Sequence, residues 1–172
     1  MVRMLRPLRA AFRLRDENNS GASMQDSENV DMFISRARAV AARVSVVAGE
    51  SAANALIAEE RARLGDEKVG VARAARGIAE TGTCVVETDG EDVRLATMIP
   101  ETSVIVLSRE DIVPGLADMA GYLRERQKDG KVSYTSFITG PSRTADIERV
   151  GAIGVHGPLD LHIILVEDGH GA

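Results

Sequence analysis

The feature that most constrains this chain is the run Ser103 to Leu107, SVIVL, in which every side chain after the leading serine is apolar. Successive side chains of a strand point to opposite faces, so such a run needs cover on both sides. Parallel sheets with flanking helices supply that cover. Helical and strand-like patterns alternate around it, as an α/β fold requires.

From Asp26 to Arg43 the apolar residues Val30, Phe33, Ile34, Ala37, Val40 and Ala41 recur at helical spacing, which predicts an amphipathic helix. Val44 to Ala48 reads as a strand closed by Gly49, and Ser51 to Leu64, rich in Ala, Leu, Glu and Arg, as a helix stopped by Gly65. Val69 and Val71 suggest a very short strand. Thr83 to Glu87 and Val93 to Thr97, separated by Asp89-Gly90, read as a hairpin. Asp111 to Gln127 reads as the longest helix, with Pro114 in its first turn. The expected fold is α/β, with a mixed, mainly parallel sheet flanked by helices in a single domain over 24–172. Residues 1–23 stand apart. Arg3, Arg6, Arg9, Arg13 and Arg15 make a basic start, followed by a polar stretch without periodicity. They read as a disordered extension, or as a mis-assigned start with Met24 the true first residue.

Composition narrows the chemistry. At 172 residues and 44% hydrophobic, the chain suits one globular domain with a sizeable core. A net charge of −5 argues against general nucleic-acid affinity, and no apolar run approaches the length of a membrane span. The one cysteine, Cys84, sits in the apolar run Thr83-Cys84-Val85-Val86 and reads as a buried, inert thiol in a reducing cytoplasm. The histidines His156, His162 and His170 show no metal-ligand spacing, so no metal is expected. His162 alternates with Ile164 and Val166 and reads as a satisfied core histidine. The sequence displays no nucleophile–base constellation.

The densest group of polar residues lies between Tyr134 and Val166, where an apolar strand, the turn Gly140-Pro141, a short polar helix, a second apolar run and the turn Gly157-Pro158 lead to a last strand. If a helix begins near Ser142, its free N–H groups and dipole favour an anion. Ser142 or Thr144 would cap it, and Arg143 would hold a carboxylate or phosphate. The same residues also fit a plain N-cap and a surface cation. Asp146 and Glu148 read as partners of Arg143 and Arg149, and His156 as a ligand contact or a brace of the Gly157-Pro158 turn. Upstream, Thr81, Gly82 and Thr83 stand at a strand edge next to Glu80, the weak candidate for a catalytic base.

Two strings then become specific. TGPSRTADIE at Thr139–Glu148, followed by His156 in GVHGP and the strand LHIILV, and IAETGT at Ile78–Thr83 together resemble the lactate utilization protein C family, the LUD-domain proteins. The resemblance covers about 69–166. It implies a fold similar to the sugar-phosphate isomerase and CoA-transferase-like α/β superfamily. It also implies a role in oxidation of L-lactate to pyruvate beside partner proteins that carry iron–sulfur clusters, with no cofactor on this chain. The resemblance does not supply the chemistry; if the two strings converge in space, the residues themselves give the expected ligand-binding set Thr81, Gly82, Thr83, Gly140, Ser142, Arg143, Thr144, Asp146 and His156. An accessory subunit and a binder or enzyme for an organic or phosphorylated anion both fit. One departure stands out: family members usually carry a further strand–helix–strand stretch where Leu64 here leads almost directly to Val69. The implied fold therefore has a reduced N-terminal half.

Overall fold

The computed structural model describes residues 24–88, 90–129, 134–145, 151–153 and 157–167. The expected basic extension at 1–23, and Asp146, Glu148 and His156, lie outside them. Helix α1 (Met24–Ala39) leads into strand β1 (Arg43–Ala48), helix α2 (Gly49–Leu64) and strand β2 (Val69–Arg73). Strand β3 (Arg76–Ile78), strand β4 (Thr83–Thr88), helix α3 (Glu91–Met98), strand β5 (Thr102–Ser108) and strand β6 (Ile112–Val113) follow. Helix α4 (Met119–Asp129), strand β7 (Tyr134–Ile138), the short strands β8 (Arg143–Ala145) and β9 (Gly151–Ile153), and strand β10 (Asp160–Glu167) complete the order.

The strands divide over two larger sheets. One is parallel throughout, in the order β1-β10-β5-β2, and the other is mixed, in the order β6-β3-β4-β7; β8 and β9 form a small antiparallel ribbon. The α/β class expected from the sequence therefore holds. The continuous apolar runs explain the parallel sheet. Ile105 and Leu107 of β5, with Leu161, Ile163 and Leu165 of β10, pack with Phe33 and Ala37 of α1. Val104, Val106, Ile164 and Val166 of the same two strands pack with Ala53 of α2. Both faces are covered, and burying each such side chain contributes about 2 kcal/mol.

The second sheet hangs from the first at the end of β2. The Ala74 amide still bonds the Val106 carbonyl of the parallel sheet, and the next amide, Ala75, bonds Val85 in β4. Gly77 lets the sheets close. A Cβ there would lie 2.7 Å from Leu107 and 3.1 Å from Phe33.

Three local expectations fail for tertiary reasons. Val93–Thr97 is not the second arm of a hairpin but part of α3, and β4 pairs antiparallel with β7 instead. The helix starts after Gly90 with Glu91 and Asp92 in its first turn and lies on β2 at Gly70, where a Cβ would fall 1.9 Å from the Ala96 carbonyl oxygen. The long helix expected over 111–127 is α4, only Met119–Asp129, whereas α1 and α2 are the 16-residue helices. Ahead of it, Ile112 and Val113 are drawn out to pair with Gly77 and Ile78, and the Pro114 carbonyl accepts the Glu80 amide at 3.0 Å. Finally, no helix begins at Ser142. Arg143–Ala145 is extended and pairs with Gly151–Ile153.

Candidate functional site

Two hallmark stretches of the sequence meet in space. β3 and β4 form an antiparallel hairpin in which Ile78 faces Thr83, with Ala79, Glu80, Thr81 and Gly82 as its loop. β7 lies on the other side of β4, with Ile138 opposite Cys84, which brings Thr139 to Thr83. The hydroxyls of Thr81 and Thr83 are 2.7 Å apart, and those of Thr83 and Thr139 are also 2.7 Å apart. These threonines, with Ile78, Leu116 and Phe137, line an open depression of about 370 Å³. Leu116 and Phe137 are exposed apolar residues on its rim.

The expected residues divide by role. Thr81 and Thr83 reach the depression, and Thr139 belongs with them. From the sequence Thr139 stands at a strand–loop edge of the kind where ligands bind but outside the expected ligand-binding set, although its hydroxyl directly before Gly140 was a visible signal. Glu80 is exposed, and its carboxylate accepts the Leu116 amide at 2.8 Å and lies against Gly115, so it fixes one wall of the depression.

Gly82 and Gly140 are packing glycines. Their φ values are +64° and +70°, and a Cβ would lie 2.2 Å from the Ala37 nitrogen and 2.4 Å from the Val40 oxygen respectively. Both turns thus sit on the end of α1, where Ala41 at φ +68° closes the helix. Arg143 reaches the same end, donating to the Val40 carbonyl at 3.4 Å, a placement the negative end of the helix dipole favours. Ser142 turns away: its amide bonds the Pro158 carbonyl at 2.9 Å, and its side chain lies beside Gly157. Thr144 lies on β8.

The helix-borne anion cradle inferred for Ser142, Arg143 and Thr144 therefore has no helix among the described residues to supply it. The reason is pairing: the ribbon between β8 and β9 bonds the backbone that a helix would have left free. Cys84 is fully buried, and burial pushes its thiol up to about 12, as an inert core position requires. No group of three metal-ligating side chains occurs among the described residues, and no described helix is long and apolar enough to cross a membrane.

A second polar cluster lies beneath α2, and sequence reasoning missed it because its members are far apart in the chain. His162 is buried, with Nε2 2.8 Å from the Ser45 hydroxyl and Nδ1 3.1 Å from Glu60 Oε1. Glu60 also accepts from Arg43 at 2.7 Å and from Arg63 at 2.6 Å, and Arg43 continues to Asp160. Burial pushes the Glu60 carboxyl up, but the guanidiniums of Arg43 and Arg63 outweigh it and hold the group at about 2. Burial, reinforced by the Arg43 charge, lowers His162 below its ordinary value. The expected satisfied core histidine is there, with partners on both nitrogens.

Comparison with known proteins gives the wider setting. The LUD domain family model matches residues 55–166. The uncharacterized protein YkgG of Escherichia coli K12 is 35% identical over 113 residues, which are 64% of this chain and 49% of that one. Lactate utilization protein C of Geobacillus thermodenitrificans is 37% identical over 102 residues, 58% of this chain and 42% of that one. The chain thus matches less than half the length of these relatives. A crystal structure of a DUF162 family protein from Deinococcus radiodurans superposes with a TM-score of 0.60 at 19% identity, covering 84% of this chain and 99% of that one. The likeness of fold extends over almost the whole of that solved chain. With the family model spanning most of the sequence, this chain belongs to the LUD-domain family.

Proposed function

We propose that the chain is an accessory component of an iron–sulfur-dependent system that oxidises L-lactate to pyruvate, working in the cytoplasm beside partner proteins that carry the clusters. The observation that carries this reading is the similarity, at 37% identity, to a protein named lactate utilization protein C. The joining of Thr83 to Thr139 at 2.7 Å adds to it, because the two family strings form one local structure. Deleting the gene is expected to abolish growth on L-lactate while leaving growth on pyruvate intact, and the tagged protein is expected to co-purify with cysteine-rich iron–sulfur proteins. Normal growth of the deletion strain on lactate would sink the proposal.

A second reading, favoured by the lining of the depression, is that it binds a small molecule directly. Ile78, Leu116 and Phe137 offer apolar surface, and Thr81, Thr83 and Thr139 offer hydroxyls, and among the described residues that line the depression none is charged. That chemistry suits a neutral ligand with a hydroxyl or carbonyl handle better than the organic or phosphorylated anion expected from the sequence. Thermal-shift measurements with ethyl lactate and with sodium lactate separate the two. A rise in melting temperature with the ester, lost in Thr83→Val, is the expected result; a rise with the anion alone, lost in Arg143→Ala, restores the anion reading.

A further inference from the structure

Ser45, His162 and Glu60 place a hydroxyl, an imidazole and a carboxylate in line, on β1, β10 and α2 respectively. The proton positions follow from the neighbours. Glu60, held ionised by Arg43 and Arg63, can only accept, so His162 Nδ1 carries a proton and donates it toward Glu60. In the neutral imidazole Nε2 then has a lone pair, which accepts the Ser45 hydroxyl. This is the arrangement by which a serine hydroxyl is activated, with the base oriented by a third group.

Access distinguishes this cluster from a sealed core network. Among the described residues β1 has a strand neighbour only at β10, and Ser45 is half-buried on it, whereas His162 and Glu60 are buried. On the side of β1 away from β10 no described strand bonds the backbone, and N–H groups of such an edge can serve an oxyanion.

We propose that Ser45 is an acyl-accepting nucleophile, with His162 as its base and Glu60 as the orienting carboxylate, that reacts with small activated acyl esters reaching Ser45 from the side of β1 away from β10. Ser45 Oγ bonds to the ester's carbonyl carbon as its proton passes to His162 Nε2. The bond from that carbon to the leaving alcohol oxygen breaks, and His162 returns the proton to that oxygen. Water repeats the sequence on the acyl-serine, releasing the carboxylic acid and regenerating Ser45.

The test uses p-nitrophenyl acetate on the folded full-length chain, followed by intact-mass and peptide mass spectrometry. In samples quenched with acid while ester remains, either one acetyl group on the peptide holding Ser45 or, where the acyl-serine hydrolyses faster than it forms, repeated release of p-nitrophenol is expected, and both are absent from Ser45→Ala, which loses only a hydroxyl, and from the chain treated in urea. In His162→Gln, checked for folding by circular dichroism, acetylation is expected to slow at least about a hundredfold, the lower range of what a positioned base contributes. Should His162→Gln not fold, the Ser45→Ala and urea comparisons decide the matter alone. Absence of both acetyl on Ser45 and Ser45-dependent p-nitrophenol release, equal reaction in urea, or an unchanged rate in folded His162→Gln overturns the proposal and leaves the cluster a structural network.

Discussion

The threonine depression and the cluster under α2 are both polar groups at sheet margins, yet they are built on opposite principles. In the depression, three neutral hydroxyls bond in a chain, and glycines on either side bring the backbone against α1. Beneath α2, charges do the joining: two arginines, a carboxylate and a histidine tie an edge strand to a helix and to the centre of the sheet. The first arrangement offers shape and hydrogen bonds, with little capacity to move a proton. The second holds a base with a defined lone pair. The family's hallmark strings mark the first region, and nothing in those strings announces the second except His162.

The contrast can be broken experimentally. The largest effect is expected from Glu60→Ala, which leaves Arg43, Arg63 and His162 without their shared acceptor. Glu60 is buried but Arg43 and Arg63 are about half exposed, so solvent screens their ion pairs; the loss of three hydrogen bonds to the carboxylate, with His162 left unsatisfied, costs about 3 kcal/mol, to be read as a lower urea midpoint. Gly82→Ala comes next. It forces a side chain into the left-handed region and against the α1 backbone, at about 3 kcal/mol from strain and overpacking together, with the depression distorted as well.

Acid should separate the two regions further. Glu60 sits at about 2 in the folded chain against an ordinary 4.5, so the unfolded chain binds the proton more readily, and stability is lost as pH falls from about 4.5 toward 2. His162 acts in the same sense from higher pH. Its folded value is depressed, so its contribution is complete above about 6.5 and begins to fade below that. Glu60 is expected to remove on the order of 3 kcal/mol by pH 2, with His162 adding in the same direction, and Glu60→Gln should flatten the lower part of the curve. The threonine chain adds no such dependence. Thr83→Val, the smallest effect, keeps the shape and deletes the central hydroxyl. A loss of about 1 kcal/mol in urea unfolding, insensitive to pH, is expected.

Much of the frame was readable from local pattern. SVIVL announced a strand covered on both faces, Phe33 and Ala37 announced the buried side of α1, and Cys84 announced an inert core thiol. The misreadings share a cause. Val93–Thr97 alternates well enough for a strand, yet Gly70 leaves room for a helix to lie on β2; Ser142-Arg143-Thr144 looks like a helix start, yet the partner strand at 151–153 claims its backbone. In both places a partner distant in sequence overrode a local preference.

By itself the sequence determined the α/β class, the burial of the central strands and the family, because apolar periodicity and long specific strings are properties of contiguous residues. Tertiary structure alone decided which polar groups meet. Thr83 finds Thr139 only through antiparallel pairing of β4 with β7, and Ser45 finds His162 and Glu60 only because β1 and β10 are neighbours beneath α2. Hydrogen bonds act over about 3 Å, whereas the residues they join here stand far apart along the chain, so only the packed sheets could bring them within reach.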